Sequence, residues 1–320
     1  MTDEWVNTLM NRVLITTSSF GKDNSSPLNL LQNAGYETVI NPYGRKLTED
    51  EVLALLLEVK PVGMIAGVEP LTARVLQQAK DLKVVSRCGI GLDNVDLNAA
   101  GSLGITIRNT PDAPTQAVAE LTIGFIFNLL RKIAFLDREL RNGNWTKESG
   151  SLLRGKNVGI VGLGRIGKRV TQMLLALDAK VSGTDIQPDH EWLQKNHVPL
   201  VSLEELLKQS DVLCLHVSHG RGKDYLIGRK EMEAMPKGTY LINTSRGEVV
   251  DHDALYSMLA SGHLSGAALD VFDHEPYTGP LTQLDNVILT PHIGSYAKEA
   301  RVEMEIQAAE NLIEELRKQT

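Results

Sequence analysis

Short apolar stretches rich in β-branched residues alternate with segments of helical periodicity along almost the whole chain of 320 residues. Such alternation is typical of α/β proteins, in which helices cover parallel sheets. In the first third of the chain the pattern predicts strands at 12–16, 37–40, 63–66, 83–86 and 105–107, with helices at 27–34, 49–59 and 73–79. Farther along it predicts strands at 157–161, 180–184, 198–201, 212–215, 240–242, 266–269 and 286–289, with helices at 168–177, 203–209, 229–234 and 253–261.

The two runs of alternation predict two doubly wound parallel-sheet domains. A C-terminal helix at 297–317 has no strand partner nearby in sequence, so we expect it to return to the first domain. The second domain, at 109–292, is then inserted into a first domain made of 1–108 and 293–320.

The longest helical segment, at 115–140, carries apolar residues on nearly every side and holds three of the five phenylalanines in the chain. A helix that is apolar all round must be covered all round. Two interpretations remain open from the sequence. The segment is a linker helix buried within one subunit, or one side of it forms a subunit interface.

The glycine-rich turn after the strand at 157–161 is the most informative motif. Gly162, Gly164 and Gly167 form G-x-G-x-x-G between a strand and a helix. The first glycine permits a tight turn, the second lets a pyrophosphate approach the backbone, and the third lets helix and strand pack closely. Asp185 ends the next strand, where a carboxylate can accept hydrogen bonds from a ribose and repels a 2′-phosphate. The second domain is therefore predicted to be a Rossmann-type domain that binds NAD rather than NADP.

Composition and charge exclude several classes of function. The net charge is −7 and lysines and arginines are not clustered, which argues against a nucleic-acid or anionic-membrane surface. Cys88 and Cys214 suit neither a disulfide framework nor a metal site. The N-terminal segment lacks the apolar core of a signal peptide, and no apolar run is long enough to span a membrane. We therefore expect a cytoplasmic protein without a bound metal.

Three polar residues follow strands of the second domain, where ligands bind in such sheets. They are Arg246, Glu275 and His292, and their positions allow all three to converge on one cleft.

These three residues and the segments around them resemble those of the D-isomer-specific 2-hydroxyacid dehydrogenase family, and within it the phosphoglycerate dehydrogenase-like branch. The matching segments keep the family's order and spacing, and they are 86–96, 159–167, 243–251, 267–276 and 290–295. The resemblance implies an NAD-dependent enzyme that transfers a hydride between nicotinamide and a small D-2-hydroxy or 2-keto acid. It also implies a flavodoxin-like substrate-binding first domain and a homodimer formed through the nucleotide domain.

The resemblance further implies a role for each site residue. His292 would exchange a proton with the substrate oxygen, Glu275 would pair with His292, and Arg246 would hold the substrate carboxylate. Further substrate-binding residues would be Arg87, Gly89, Ile90 and Gly91. The cofactor would be bound by the three fingerprint glycines, Asp185, Arg165, Ile166, Thr244, Ser245, Asp270 and Gly294.

The chain departs from the family pattern at two places. The loop at 217–222 lacks the usual proline and Leu-Thr pair, and Ala66 to Glu69 stand where phosphoglycerate-specific relatives commonly carry an arginine. From overall resemblance 3-phosphoglycerate is the first predicted substrate. Glyoxylate and hydroxypyruvate are the alternatives, because of Ala66 and Gly67. A non-enzymatic NAD(H) sensor, like the transcriptional corepressors that share this fold, is the alternative from another class.

Overall fold

The computed structural model describes residues 11–218 and 225–319. The chain divides into two compact units, one comprising Met1–Pro114 and Ser295–Thr320 and the other Thr115–Gly294. The divisions lie close to the predicted boundaries at 108 and 292. The N-terminal segment and most of the unusual loop at 217–222 lie outside the described residues.

The first unit is built on a five-stranded parallel sheet with the order β2-β1-β3-β4-β5. This is the flavodoxin-like order, so the predicted fold of this unit is confirmed. Its elements are β1 (Arg12–Ile15), α1 (Ser26–Asn33), β2 (Glu37–Ile40), α2 (Glu49–Val59), β3 (Gly63–Ala66), α3 (Ala73–Gln78), β4 (Val84–Arg87), α4 (Leu97–Ser102), β5 (Thr106–Asn109) and the C-terminal α12 (Lys298–Arg317).

Alternate residues of the central strands of this sheet face opposite sides. Leu14, Met64 and Val85 pack among residues of α2 to α4, whereas Val13 and Ile65 pack among residues of α1 and α12. Because both faces are covered, the strands are apolar at successive positions rather than alternating with polar residues.

The second unit contains a six-stranded parallel sheet with the order β11-β10-β9-β8-β6-β7. The strand predicted at 198–201 is wrong, because only Leu200 bridges to Gly183 of β7. Pro199 beside it has no N–H to extend the ladder. This segment lies beside β7 at the edge of the sheet, where the Rossmann strand order has a further strand. The elements are α5 (Thr115–Arg131), α6 (Ile133–Arg141), β6 (Asn157–Val161), α7 (Arg165–Ala176), β7 (Lys180–Thr184), α8 (His190–Lys195), α9 (Leu203–Gln209), β8 (Val212–Leu215), α10 (Arg229–Glu233), β9 (Tyr240–Asn243), α11 (His252–Ala260), β10 (Gly266–Leu269) and β11 (Val287–Leu289).

The single helix predicted at 115–140 is also wrong, since α5 ends at Arg131 and α6 begins at Ile133. Lys132 between them has a left-handed φ of 55°, which a continuing helix does not allow. Much of α5 is buried, whereas α6 has no buried residue. Large apolar side chains remain exposed along this stretch, namely Phe127, Ile133, Leu140, Trp145 and Leu152.

The sequence pattern does not predict two short helices, α4 and α8. Each begins after an aspartate that caps it: Asp96 accepts the N–H of Ala99 at 2.9 Å, and Asp189 accepts the N–H of Trp192 at 3.1 Å. At 6 residues each, they are too short for a clear periodicity, so the cap is their main local signal. Across 11–218 and 225–319, no helix has both the length and the apolarity needed to cross a bilayer.

Candidate active site

The glycine-rich turn between β6 and α7 has the geometry that a pyrophosphate requires. Gly162 has a φ of 91°, and a Cβ on Gly167 would lie 1.9 Å from the carbonyl oxygen of Gly162. Only glycine therefore allows α7 to pack this closely. Gly164 caps α7 without a side-chain hydrogen bond, and no atom of the described chain lies within 4 Å of a Cβ built on it. The amides of the first turn, at Arg165 and Ile166, are thus presented to an anion.

Asp185, directly after β7, holds the same turn from the other side. Its carboxylate accepts the N–H of Leu163 at 2.6 Å and the N–H of Gln187 at 2.7 Å. Each carboxylate oxygen has a second acceptor position, so both remain able to accept a ribose hydroxyl. The residue fits the adenosine side of NAD, and the bonds to Leu163 and Gln187 fix its orientation.

His292 and Glu275 form a hydrogen-bonded pair near the ends of β10 and β11. Nδ1 of His292 lies 3.0 Å from Oε2 and 3.1 Å from Oε1 of Glu275. Because an ionised carboxylate only accepts, Nδ1 carries the proton and donates it. In the neutral ring Nε2 is then an acceptor. The side chain of His292 is 51% exposed, and its backbone has a left-handed φ of 54°. The pair can therefore take up and release a proton at Nε2.

Arg246 follows β9 in a turn organised by Asn243. The Asn243 side chain donates to the carbonyl of Arg246 at 2.8 Å and accepts the N–H and hydroxyl of Ser245 at 3.0 and 2.7 Å. Gly247 then passes so close to the loop that carries Glu275 that a Cβ on it would lie 1.9 Å from the carbonyl carbon of Phe272. This close approach brings the Arg246 turn and the Glu275 loop together.

Asp270 anchors the loop that bears His292. Its buried carboxylate accepts the hydroxyl of Thr290 at 2.5 Å, the N–H of Ile293 at 2.8 Å and the N–H of Gly294 at 2.7 Å. Burial raises the pKa of Asp270, and these hydrogen bonds oppose that rise. The predicted cofactor residue therefore also has a positioning role, which its sequence context did not indicate.

Thr244, another predicted cofactor residue, belongs to a buried polar chain. Its hydroxyl lies 3.2 Å from that of Thr122 and 3.3 Å from Nδ1 of His216, and Thr122 donates to the carbonyl of Val118 at 2.8 Å. Burial lowers the pKa of His216 to about 4, so its imidazole is neutral near pH 7.

In the first unit, the predicted substrate loop is fastened to the end of β5. Gly89 donates its N–H to the hydroxyl of Thr110 at 2.8 Å, and Asn109 donates to the carbonyl of Ile90 at 2.7 Å. Because the N–H of Gly89 already donates to Thr110, we no longer expect it to bind a substrate carboxylate oxygen. The amides of Ile90 and Gly91 remain as the predicted donors. The Arg87 guanidinium covers Gly89, where any side chain would collide with it.

Glu69, after β3, is the feature of this unit that the sequence did not reveal. Its side chain is buried, with a relative exposure of 1%, and it contacts the Thr16 hydroxyl. It also accepts the N–H of Gly67 at 3.1 Å. Burial raises the pKa of this carboxyl, against the opposing effects of its hydrogen bonds and of Arg87.

Comparison with known proteins decides the family. Residues 123–294 match the model of the D-isomer specific 2-hydroxyacid dehydrogenase NAD binding domain. The chain belongs to this family.

Members with assigned activities divide among several substrates. The chain is 40% identical to a glyoxylate reductase of Thermofilum pendens over 77% of this chain and 75% of that protein. It is 37% identical to a hydroxypyruvate reductase of Thermotoga maritima over 84% and 89% of the two chains. It is 38% identical to a D-3-phosphoglycerate dehydrogenase of Archaeoglobus fulgidus over 75% of this chain, but it spans only 46% of that relative.

Solved structures resemble the chain over nearly its whole length. The TT0316 protein of Thermus thermophilus has a TM-score of 0.87 and 37% identity, over 96% of this chain and 97% of its own. The chain is therefore an NAD-dependent oxidoreductase of the D-2-hydroxyacid dehydrogenase family.

The hydrogen-bond networks of two carboxylates, Asp270 and Glu69, were not predicted from the sequence. Asp270 holds the His292 loop through backbone groups, and Glu69 is bonded to Thr16, which lies 53 positions earlier. A carboxylate directly after a buried strand was a signal for Asp270. No local signal marked Glu69 as buried.

Proposed function

We propose that this dehydrogenase interconverts a short 2-keto acid and its D-2-hydroxy acid, with His292 as the acid–base residue. NAD, when bound, supplies or accepts the hydride. The observation that carries the proposal is the 3.0 Å contact between His292 and Glu275. It fixes the tautomer that leaves Nε2 to take the hydroxyl proton, or, once the ring is protonated, to donate it to the carbonyl oxygen.

Glu275 stabilises the imidazolium that forms when Nε2 takes a proton, because a carboxylate at hydrogen-bond distance favours the charged ring. Arg246 offers a planar fork of donors to the substrate carboxylate and 2-oxygen. We assign Arg87 and the amides of Ile90 and Gly91 to the substrate carboxylate as well. On the 2-oxygen, Arg246 balances the negative charge that develops during reduction.

We assign the pyrophosphate to the fingerprint turn and the adenosine ribose to Asp185. Two observations support this assignment: the space around the Cβ position of Gly164 is open, and no side chain caps the first turn of α7. We place the remaining predicted cofactor residues near the nicotinamide end, because they lie at the carboxyl ends of β9, β10 and β11. They are Thr244, Ser245, Asp270 and Gly294.

The substrate we favour is an unphosphorylated keto acid such as glyoxylate or hydroxypyruvate. Sequence resemblance alone placed 3-phosphoglycerate first, but Ala66 and Gly67 stand where a cation was expected, and the nearby Glu69 is a buried acid. Phosphoglycerate stays the second candidate, because relatives with that name are equally similar over the shared length.

A panel of 2-keto acids tests the proposal. NADH absorbance is followed with glyoxylate, hydroxypyruvate, pyruvate and 3-phosphohydroxypyruvate. We expect the highest kcat/KM with one of the unphosphorylated acids. A preference for 3-phosphohydroxypyruvate would reverse the substrate order, and turnover of none of the four would refute the proposed chemistry.

We also propose that the protein forms a homodimer through the second unit. The apolar side chains exposed around α6 support this, because leaving several of them in water costs about 25 cal/mol per Å². Leu140→Glu should yield a monomer in light scattering, whereas Leu103→Glu on the first unit should leave a dimer. Leu140 and Leu103 are comparably exposed, at 56% and 43%, so the second variant is a matched control. A wild-type monomer at micromolar concentration would contradict the proposal.

A further inference from the structure

The loop after β3 places two backbone amides around one carboxyl group. The N–H of Gly67 donates to Oε1 of Glu69 at 3.1 Å, and the N–H of Glu69 itself also bonds to this carboxyl. The hydroxyl of Thr16, just after β1, contacts the same oxygen. Burial raises the pKa of this carboxyl, and the charge of Arg87, at the end of β4, opposes that rise.

These surroundings are those of an anion site. Successive backbone N–H groups in a turn form a concavity that binds phosphate or carboxylate, and a hydroxyl and a guanidinium strengthen it. The groups come from the carboxyl ends of three neighbouring strands, where ligands of doubly wound sheets bind. Here the chain's own carboxyl occupies the position, and its exposure of 1% shows that it is fully seated.

We propose that Glu69 is a specificity-determining residue that fills this anion position from within the chain and thereby keeps phosphorylated 2-keto acids out. Thr16, Gly67 and the amide of Glu69 would otherwise bind the substrate's phosphate. The inference rests on the proposed function for its substrates. The anion site itself can be tested without catalysis.

The test compares Glu69→Ala with Glu69→Gln in the full-length protein. Alanine empties the position, whereas glutamine keeps it filled with a group of the same size. We expect Glu69→Ala to raise the ratio of kcat/KM for 3-phosphohydroxypyruvate over hydroxypyruvate at least ~10-fold, the scale of one charge-assisted hydrogen bond. Glu69→Gln should leave the ratio within about threefold of wild type, because a neutral side chain still blocks the phosphate.

Inorganic phosphate provides a second readout that does not depend on turnover. It should raise the Tm of Glu69→Ala in a saturable manner and leave wild type and Glu69→Gln unchanged at the same ionic strength. A purely structural role for Glu69 would lower the Tm of both variants without this selective response.

The outcomes separate the two proposals. A folded Glu69→Ala with an unchanged substrate ratio and no response to phosphate overturns the role of Glu69. Selective stabilisation by phosphate in a protein that turns over none of the keto acids supports the anion site and refutes the proposed function. If Glu69→Ala does not fold, Glu69→Ser replaces it with the same expectations. Failure of both to fold in phosphate buffer overturns the inference, since phosphate should then substitute for the carboxyl.

Discussion

Gly247 offers the sharpest test of how the catalytic residues are held together. It directly follows Arg246, and a Cβ at this position would lie 1.9 Å from the carbonyl carbon of Phe272 and 2.2 Å from the nitrogen of Asp273. Both are backbone atoms of the loop that leads to Glu275, so no side-chain rotation relieves the clash. In Gly247→Ala the two loops must separate.

The size of the separation follows from the contact. Ordinary van der Waals contact of a Cβ begins near 3.4 Å, so the backbones must part by about 1.5 Å. The displacement moves Arg246 away from the His292–Glu275 pair. Because a misplacement of about 1 Å can cost a factor of 10² in rate, kcat/KM should fall at least ~10²-fold. Overpacking of this kind should also lower the free energy of unfolding by about 1–3 kcal/mol.

The assay measures kcat/KM with the best keto acid, NADH affinity by fluorescence, and unfolding in denaturant. The control is Gly101→Ala in α4, where a Cβ meets no atom of the described chain within 4 Å. It should keep full activity and gain up to about 1 kcal/mol of stability. NADH affinity of Gly247→Ala should fall less than kcat/KM, since the fingerprint turn is separate and only the turn at 243–246 is displaced. A kcat/KM within threefold of wild type would show that the contact between the two loops does not position the site.

Further predictions concern four single residues. His292→Ala should lower kcat at least ~10²-fold with NADH affinity nearly intact, and a turnover within a few-fold of wild type removes His292 from the mechanism. Glu275→Gln should lower the maximum of kcat/KM, because it removes the carboxylate that holds the His292 ring. Wild type should have a higher kcat/KM with NAD than with NADP, and Asp185→Ser should reduce this difference in kcat/KM. Equal kcat/KM of wild type with both cofactors would contradict the role of Asp185. Burial lowers the pKa of His216 to about 4 from an ordinary value near 6.5. The neutral ring therefore costs the folded protein no stability above pH 6.5. As the pH falls from 6.5 to 4, the free energy of unfolding should decrease by up to about 3 kcal/mol. His216→Gln should remove this part of the pH dependence in denaturant titrations, and identical pH profiles for the two proteins would refute it.

The sequence by itself determined most of the strands and the nucleotide fingerprint. A strand covered on both faces must be apolar at successive positions, so β1, β3, β8 and β10 are visible as short apolar runs. The fingerprint is equally local, because Gly162, Gly164 and Gly167 serve one turn and the first turn of the helix after it. Both signals need only neighbours in the chain, and the fold class followed from them.

The tertiary structure decided how the site is held. Asp270 is joined to Gly294, 24 positions later, and Glu69 to Thr16, 53 positions earlier. The helix breaks at Lys132 because its backbone is left-handed, and a lysine in the sequence does not predict that conformation. The side chain of Asn128 stabilises the break by accepting the N–H of Ala134 at 2.8 Å. The identity of a polar residue does not reveal whether its side chain is solvated or buried. Its partners exist only once distant strands have brought them together, and therefore the pattern along the chain could place the chemistry but not the contacts that fix it.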